Sequence, residues 1–168
     1  MQLSENFTLK EFTKSWQAER LGIDNRPSQK EIFAMGRLCQ SVLQPVRNHF
    51  GVPVIITSGF RCLKLNKAIG SDDNSQHITG EAADFKVKDV PALTVAEFIE
   101  QNLDFDQLIL EWRNKQELNH VSYRKPKEEK THISYVLCSL NRNEVLYSPR
   151  PKVFLKGLPE FWPLKKEI

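Results

Sequence analysis

The hydrophobic positions of this chain change period near its middle. From Ser28 onward, Ile32, Met35, Leu38, Cys39, Val42 and Val46 recur at helical spacing behind a Ser28–Glu31 capping box. Gly51 is placed to end that helix in a left-handed turn. Upstream, Asn6 to Phe12 has the form of a capped helical turn, with Thr8 facing Glu11 three residues on. Val52 to Thr57 then reads as a buried strand, and Pro53 confines it to a strand start or a sheet edge. A polar, Gly-containing stretch from Ser58 to Gly80 follows, interrupted by a short helical segment over Leu63 to Ile69. Ala82 to Val87 predicts a second strand. Thr94 and Glu97 predict the cap of an amphipathic helix running through Phe98, Ile99 and Leu103.

From Phe105 the pattern turns to strands: Gln107 to Trp112, His120 to Tyr123, His132 to Leu137, and Val145 to Tyr147. Helices early and strands late, without regular βαβ alternation, predict an α+β fold. The expectation is a single domain over 1–148, an antiparallel sheet with helices packed on it. A Pro-rich extension over 149–168 would be packed on that domain or trail from it. His120-Val121-Ser122-Tyr123 and His132-Ile133-Ser134-Tyr135 are near copies. The turn-rich Lys125 to Glu129 between them suits a hairpin that would bring the two histidines together.

A length of 168 residues is enough for one core without disulfide staples. No apolar run approaches the ~18 residues that suggest a membrane span. The first residues lack the basic and apolar regions of a signal peptide. We therefore expect cytoplasmic synthesis, with release to act elsewhere by another route. The net charge of +3 is far from a nucleic-acid-binding composition, although from Arg113 onward Lys and Arg exceed Asp and Glu by six. Three cysteines without CxxC spacing exclude a zinc-finger or disulfide framework and read as bystander thiols.

Among the four histidines, His77 stands on a polar Gly-bearing loop, seven residues before Asp84 on a small-residue strand. That placement can bring an imidazole and a carboxylate to one ion, and zinc accepts such ligands. By spacing alone the pair reads more readily as a surface histidine and a strand-end aspartate.

Further segments occur in order with it: Ile56-Thr57-Ser58-Gly59-Phe60-Arg61, Leu65-Asn66-Lys67-Ala68-Ile69-Gly70, Ser75-Gln76-His77, Gly80-Glu81-Ala82-Ala83-Asp84 and Phe105-Asp106-Gln107-Leu108-Ile109. His132-Ile133-Ser134-Tyr135, Asn141-Arg142 and Val145-Leu146 complete the set. Over residues 3–147 this resembles the zinc D-alanyl-D-alanine carboxypeptidase family of bacterial and phage cell-wall peptidases, which shares its metal fold with hedgehog signalling domains. The resemblance implies Zn2+ held by His77, Asp84 and a late-strand histidine. Counting back from Asn141-Arg142 favours His132 as that third ligand, and counting forward from Gln107-Leu108-Ile109 gives His120 as the alternative.

The resemblance also implies a carboxylate that serves as general base. Relatives place it just after the Gln-Leu-Ile strand, which maps onto Glu111. Others place it three residues before the last histidine, which maps onto Glu129, or onto Glu117 if His120 is the ligand. Residues three apart on a regular strand face opposite ways, so Glu111 is preferred, expected opposite His132 across a hairpin. Arg61 matches the family arginine that binds substrate carboxylate or backbone oxygen, a task suited to its planar fork. Two positions depart from the family pattern: Gly70-Ser71 where two glycines are usual, and Cys62 after the arginine.

The reading is a monomeric zinc peptidase acting on peptidoglycan stem peptides, as a D,D-carboxypeptidase or endopeptidase of phage-lysis type, without nucleic-acid partners. A catalytically inert zinc-containing binding or phage structural module of the same fold is the alternative. A metal-free, basic-tailed cell-wall-binding protein stands behind both.

Overall fold

The structure, a computed structural model, describes residues 1–113, 116–124, 133–139 and 145–146. The 149–168 extension, His132 and Glu129 lie outside the described residues. A small hairpin of β1 (Gln2–Ser4) and β2 (Phe7–Thr8) leads into α1 (Leu9–Thr13), whose start is fixed by the expected Thr8–Glu11 capping box. The Glu11 carboxylate accepts from the Thr8 N–H at 2.7 Å. Next comes α2 (Trp16–Leu21), which the sequence pattern had not suggested. It is capped by the Ser15 hydroxyl and closed by Gly22 in the left-handed region.

The expected long helix runs as α3 (Gln29–Leu38), a π-helical turn (Cys39–Leu43) and α4 (Gln44–Phe50). The wide turn lies just before Pro45, which has no N–H to give and whose ring crowds a regular turn. At the far end Gly51 takes φ 68° and donates to the Arg47 carbonyl, as expected.

The main sheet has the order β3 (Val54–Ser58), β4 (Ala82–Val87), β6 (Gln116–Ser122), β5 (Gln107–Arg113), β7 (Ile133–Ser139), β8 (Val145–Leu146). The short α5 (Leu63–Ala68) sits in the β3–β4 connection, and α6 (Ala92–Asn102) precedes β5. Every neighbour pair is antiparallel except β5 with β7. Pro53 stands immediately before the edge strand β3, so its missing N–H interrupts no ladder.

Two local expectations are corrected. The near-copy segments do not form a hairpin with each other. β6 turns tightly back on β5, with Arg113 opposite Gln116, and β7 pairs with the other edge of β5. The partners of Glu111 are accordingly Leu118 and Leu137, and not His132. In α6, the first turn begins at Ala92 and not behind a Thr94 cap. The Ala92 N–H donates to the Glu117 carboxylate of β6 at 3.0 Å, so a partner distant in sequence satisfies an end that a local box would otherwise serve.

One face of the sheet is apolar. Val54, Ile56, Ala83, Phe85, Val87, Leu108 and Val121 pack against Met35, Leu38, Val42 and Val46 of the long helix and Val95 and Ile99 of α6. Because strand side chains alternate, β4, β6 and β5 must present a second set to the opposite face. Asp84 pairs with His120, which pairs with Ile109, so Asp84, His120, Ile109 and Glu111 share that face. Glu117 falls on the other side of the sheet from His120.

Candidate metal centre

Three segments deliver the polar cluster. β4 carries Asp84 and β6 carries its direct cross-strand partner His120. His77 comes from the loop before β4, where Gly80, with φ 71°, closes the turn back into the sheet. A Cβ on Gly80 would stand 2.6 Å from the Glu31 carbonyl oxygen, so this turn presses directly on α3. All three side chains are buried.

Asp84 Oδ1 lies 3.3 Å from His77 Nε2 and 2.7 Å from His120 Nδ1. One ligand atom from each residue fits within a 4.8 Å group. Ligands about 2.0–2.1 Å from a tetrahedral zinc stand roughly 3.3 Å apart, the spacing of His77 Nε2 and Asp84 Oδ1. His120 Nε2 is buried and makes no hydrogen bond among the described residues. It is Nδ1 that faces the cluster, and two imidazole nitrogens converging on one carboxylate oxygen make a donor set that zinc accepts.

The protonation states suit the same purpose. His77 Nδ1 lies 2.7 Å from the Gly59 carbonyl oxygen. A carbonyl only accepts, so the ring proton is on Nδ1 and the Nε2 lone pair faces Asp84. Burial lowers the His77 pKa, against the opposing pull of Asp84, and Arg61 and His120 lower it further. Burial alone would raise Asp84, but the neighbouring His77 and the hydrogen bond from His120 outweigh it and hold the carboxyl well below its ordinary range. A neutral imidazole beside an ionised carboxylate is the form in which both bind metal.

Gly59 fixes that orientation by close approach. Its carbonyl holds His77, while a Cβ on it would stand 2.5 Å from the Phe12 carbonyl oxygen and 2.7 Å from the Phe12 Cα. Gly59→Ala is therefore expected to cost about 1–3 kcal/mol of stability by overpacking. It should also weaken zinc binding by ~10–100-fold through the displaced carbonyl. Denaturant melts and zinc titration of the purified variant measure the two effects.

Arg61 stands beside the cluster. Its Nη1 donates to Ser58 Oγ at 3.0 Å and its Nη2 to Ser75 Oγ at 3.4 Å. A register shift between Ile56 and Ser58 places Ser58, instead of Thr57, opposite Asp84 and so on the site face. Arg61, Ser58, Gly59 and Asp84 line a cleft of about 360 Å³ whose remaining lining includes Lys14, Trp16 and Gln17. Sequence reasoning had not singled out these last three. Trp16 is 64% exposed, a consequence of the fold that no local pattern in the sequence signals. Glu111 is only 8% exposed on the same sheet face. Cys39 is buried, which with the Glu11 charge pushes its thiol pKa far up, as a bystander role requires. The described residues contain no helix long and apolar enough to cross a membrane.

A buried His–Asp–His cluster beside an arginine-lined cleft, on one face of an α+β sheet, is a group that could hold a metal ion. A family model described as Peptidase M15 matches residues 5–121, and the chain belongs to that family of peptidases. Zinc is the family's metal, and the donor set just described fits it. The matched stretch contains His77, Asp84, Glu111 and His120 and ends before His132. No curated protein matches the chain.

Proposed function

We propose that this protein is a zinc peptidase that hydrolyses peptide bonds in peptidoglycan stem peptides, with His77, Asp84 and His120 as its metal ligands. The observation that carries the reading is the convergence of these three buried side chains within 4.8 Å in a chain of a peptidase family. Zinc, when bound, polarises the scissile carbonyl and acidifies the attacking water.

The remaining work falls to the protein's own groups. Glu111, on the face that carries His120, takes the proton of the attacking water as oxygen bonds to the carbonyl carbon. It then returns that proton to the amine nitrogen as the C–N bond breaks. Arg61 offers its guanidinium to an anionic peptide end, held in place by Ser58 and Ser75. The sheet and the long helix behind the site keep Asp84 and His120 from moving with the substrate.

The test is hydrolysis of purified peptidoglycan by the zinc-loaded protein. New amine groups and released peptide are expected, abolished by a chelator and restored by added zinc. A zinc-loaded protein that releases nothing would overturn the peptidase reading in favour of an inert module of the same fold. Identification of the released fragment distinguishes carboxypeptidase from endopeptidase action.

A further inference from the structure

Asn25 lies between α2 and α3 and is not one of the three residues of the metal cluster, yet among the described residues its side-chain hydrogen bonds run to the backbone around the site. Its Nδ2 donates to the carbonyls of Thr13 and Phe60, each at 3.0 Å, and its Oδ1 accepts from the Cys62 N–H at 2.8 Å. Phe60 and Cys62 are the two residues that flank Arg61. On alternate positions the same segment is held by His77, whose ring binds the Gly59 carbonyl and whose own carbonyl accepts from the Arg61 N–H at 3.1 Å. Residues 59 to 62 are thus gripped in turn by the metal-site histidine and by one asparagine.

The third bond reaches elsewhere. Thr13 ends α1 and is followed by Lys14, Ser15, Trp16 and Gln17, which line the cleft together with Arg61. The Asn25 amide therefore joins the Phe60 N–H bond to the Phe12 carbonyl, at 2.8 Å, in tying the Arg61 segment to the other stretch of chain that lines the cleft. The task needs two donated hydrogen bonds and one accepted within one short side chain. Aspartate is the same size but has no donor when ionised, and glutamine is one methylene too long.

We propose that Asn25 is a positioning residue that sets the reach of Arg61 and the width of the cleft. This rests on the reading above, in which Arg61 receives a substrate carboxylate. A guanidinium fork binds a carboxylate through two directed bonds, so a displacement of its backbone by a fraction of an ångström falls mainly on that contact.

The experiment is a double-mutant cycle of Asn25→Ala with Arg61→Ala. It is read on a synthetic stem peptide with a free C-terminal carboxylate and on the same peptide amidated. Asn25→Asp serves as an isosteric second variant should the alanine protein fold poorly. With zinc content unchanged, Asn25→Ala is expected to raise KM for the free carboxylate peptide about 10–100-fold, with kcat within a few-fold. The amidated peptide should be little affected, and the substitution should add nothing once Arg61 is already alanine.

Equal losses on both peptides, or full additivity with Arg61→Ala, would show a merely structural asparagine and overturn the proposal while leaving the peptidase reading intact. If the wild type cleaves neither peptide, the same cycle is read by calorimetric binding of the free carboxylate peptide to the zinc-loaded protein. Weakening by Asn25→Ala only where Arg61 is present supports the proposal, unchanged binding overturns it, and no binding by the wild type overturns both readings.

Discussion

His120→Ala is expected to leave the protein without stoichiometric zinc, while His132→Ala keeps it. His120 is the direct cross-strand partner of Asp84, and its Nδ1 lies 2.7 Å from the carboxylate that also faces His77. Removing it leaves two protein ligands, too few for a catalytic zinc geometry, so affinity should fall by orders of magnitude. A residue outside the ligand set changes affinity by no more than the ~10–100-fold of a supporting contact. Zinc titration of both variants, with circular dichroism to confirm their fold, reads the difference directly. A metal-free His132→Ala beside a loaded His120→Ala would move the third ligand to the later copy.

Glu111→Gln should lower kcat by about 10²–10⁴-fold, the range contributed by a general base, with zinc content and KM nearly unchanged. The register carries this expectation. Ile109 faces His120 across β5 and β6, so Glu111, two residues further along, stands on the same side of the sheet. Glu117 is the control. It lies on the opposite side and its carboxylate accepts from the Ala92 N–H at the start of α6. Glu117→Ala should cost about 1 kcal/mol of stability, as loss of a helix cap does, and leave kcat in place. The reverse pattern, with Glu117 essential and Glu111 dispensable, would sink the assignment. Single-turnover kinetics on a stem peptide, combined with thermal melts, separate the two cases.

Local signals in the sequence reached as far as local interactions do. The capping boxes at Thr8 and Ser28, the left-handed stop at Gly51 and the edge position of Pro53 each depend on a few neighbouring residues, and all four appear as expected. The signals for α2 were equally local, Ser15 before it and Gly22 after it, and were passed over because six residues show little periodicity. The start of α6 was misplaced for a different reason. Its capping carboxylate comes from β6, 25 residues away, and no window along the chain contains both.

The same division runs through the site. His77 and Asp84 are legible through the family resemblance of their two segments, since a spacing of seven by itself fits a surface histidine and a strand-end aspartate as well. Arg61 is legible from its motif. The sequence by itself determined the α+β class and the small residues around Asp84 through local patterning, and the two-histidine, one-aspartate donor set through the resemblance its segments carry. Which late strand lies beside Asp84, and whether Glu111 or Glu117 shares its face, was decided only by the tertiary structure. A strand pairing is a contact between segments far apart in sequence, and a shift of one residue turns every side chain to the other face of the sheet. Two near-identical histidine segments carry the same local pattern, so only the hydrogen-bonded register of β4 on β6 distinguishes the one that meets Asp84.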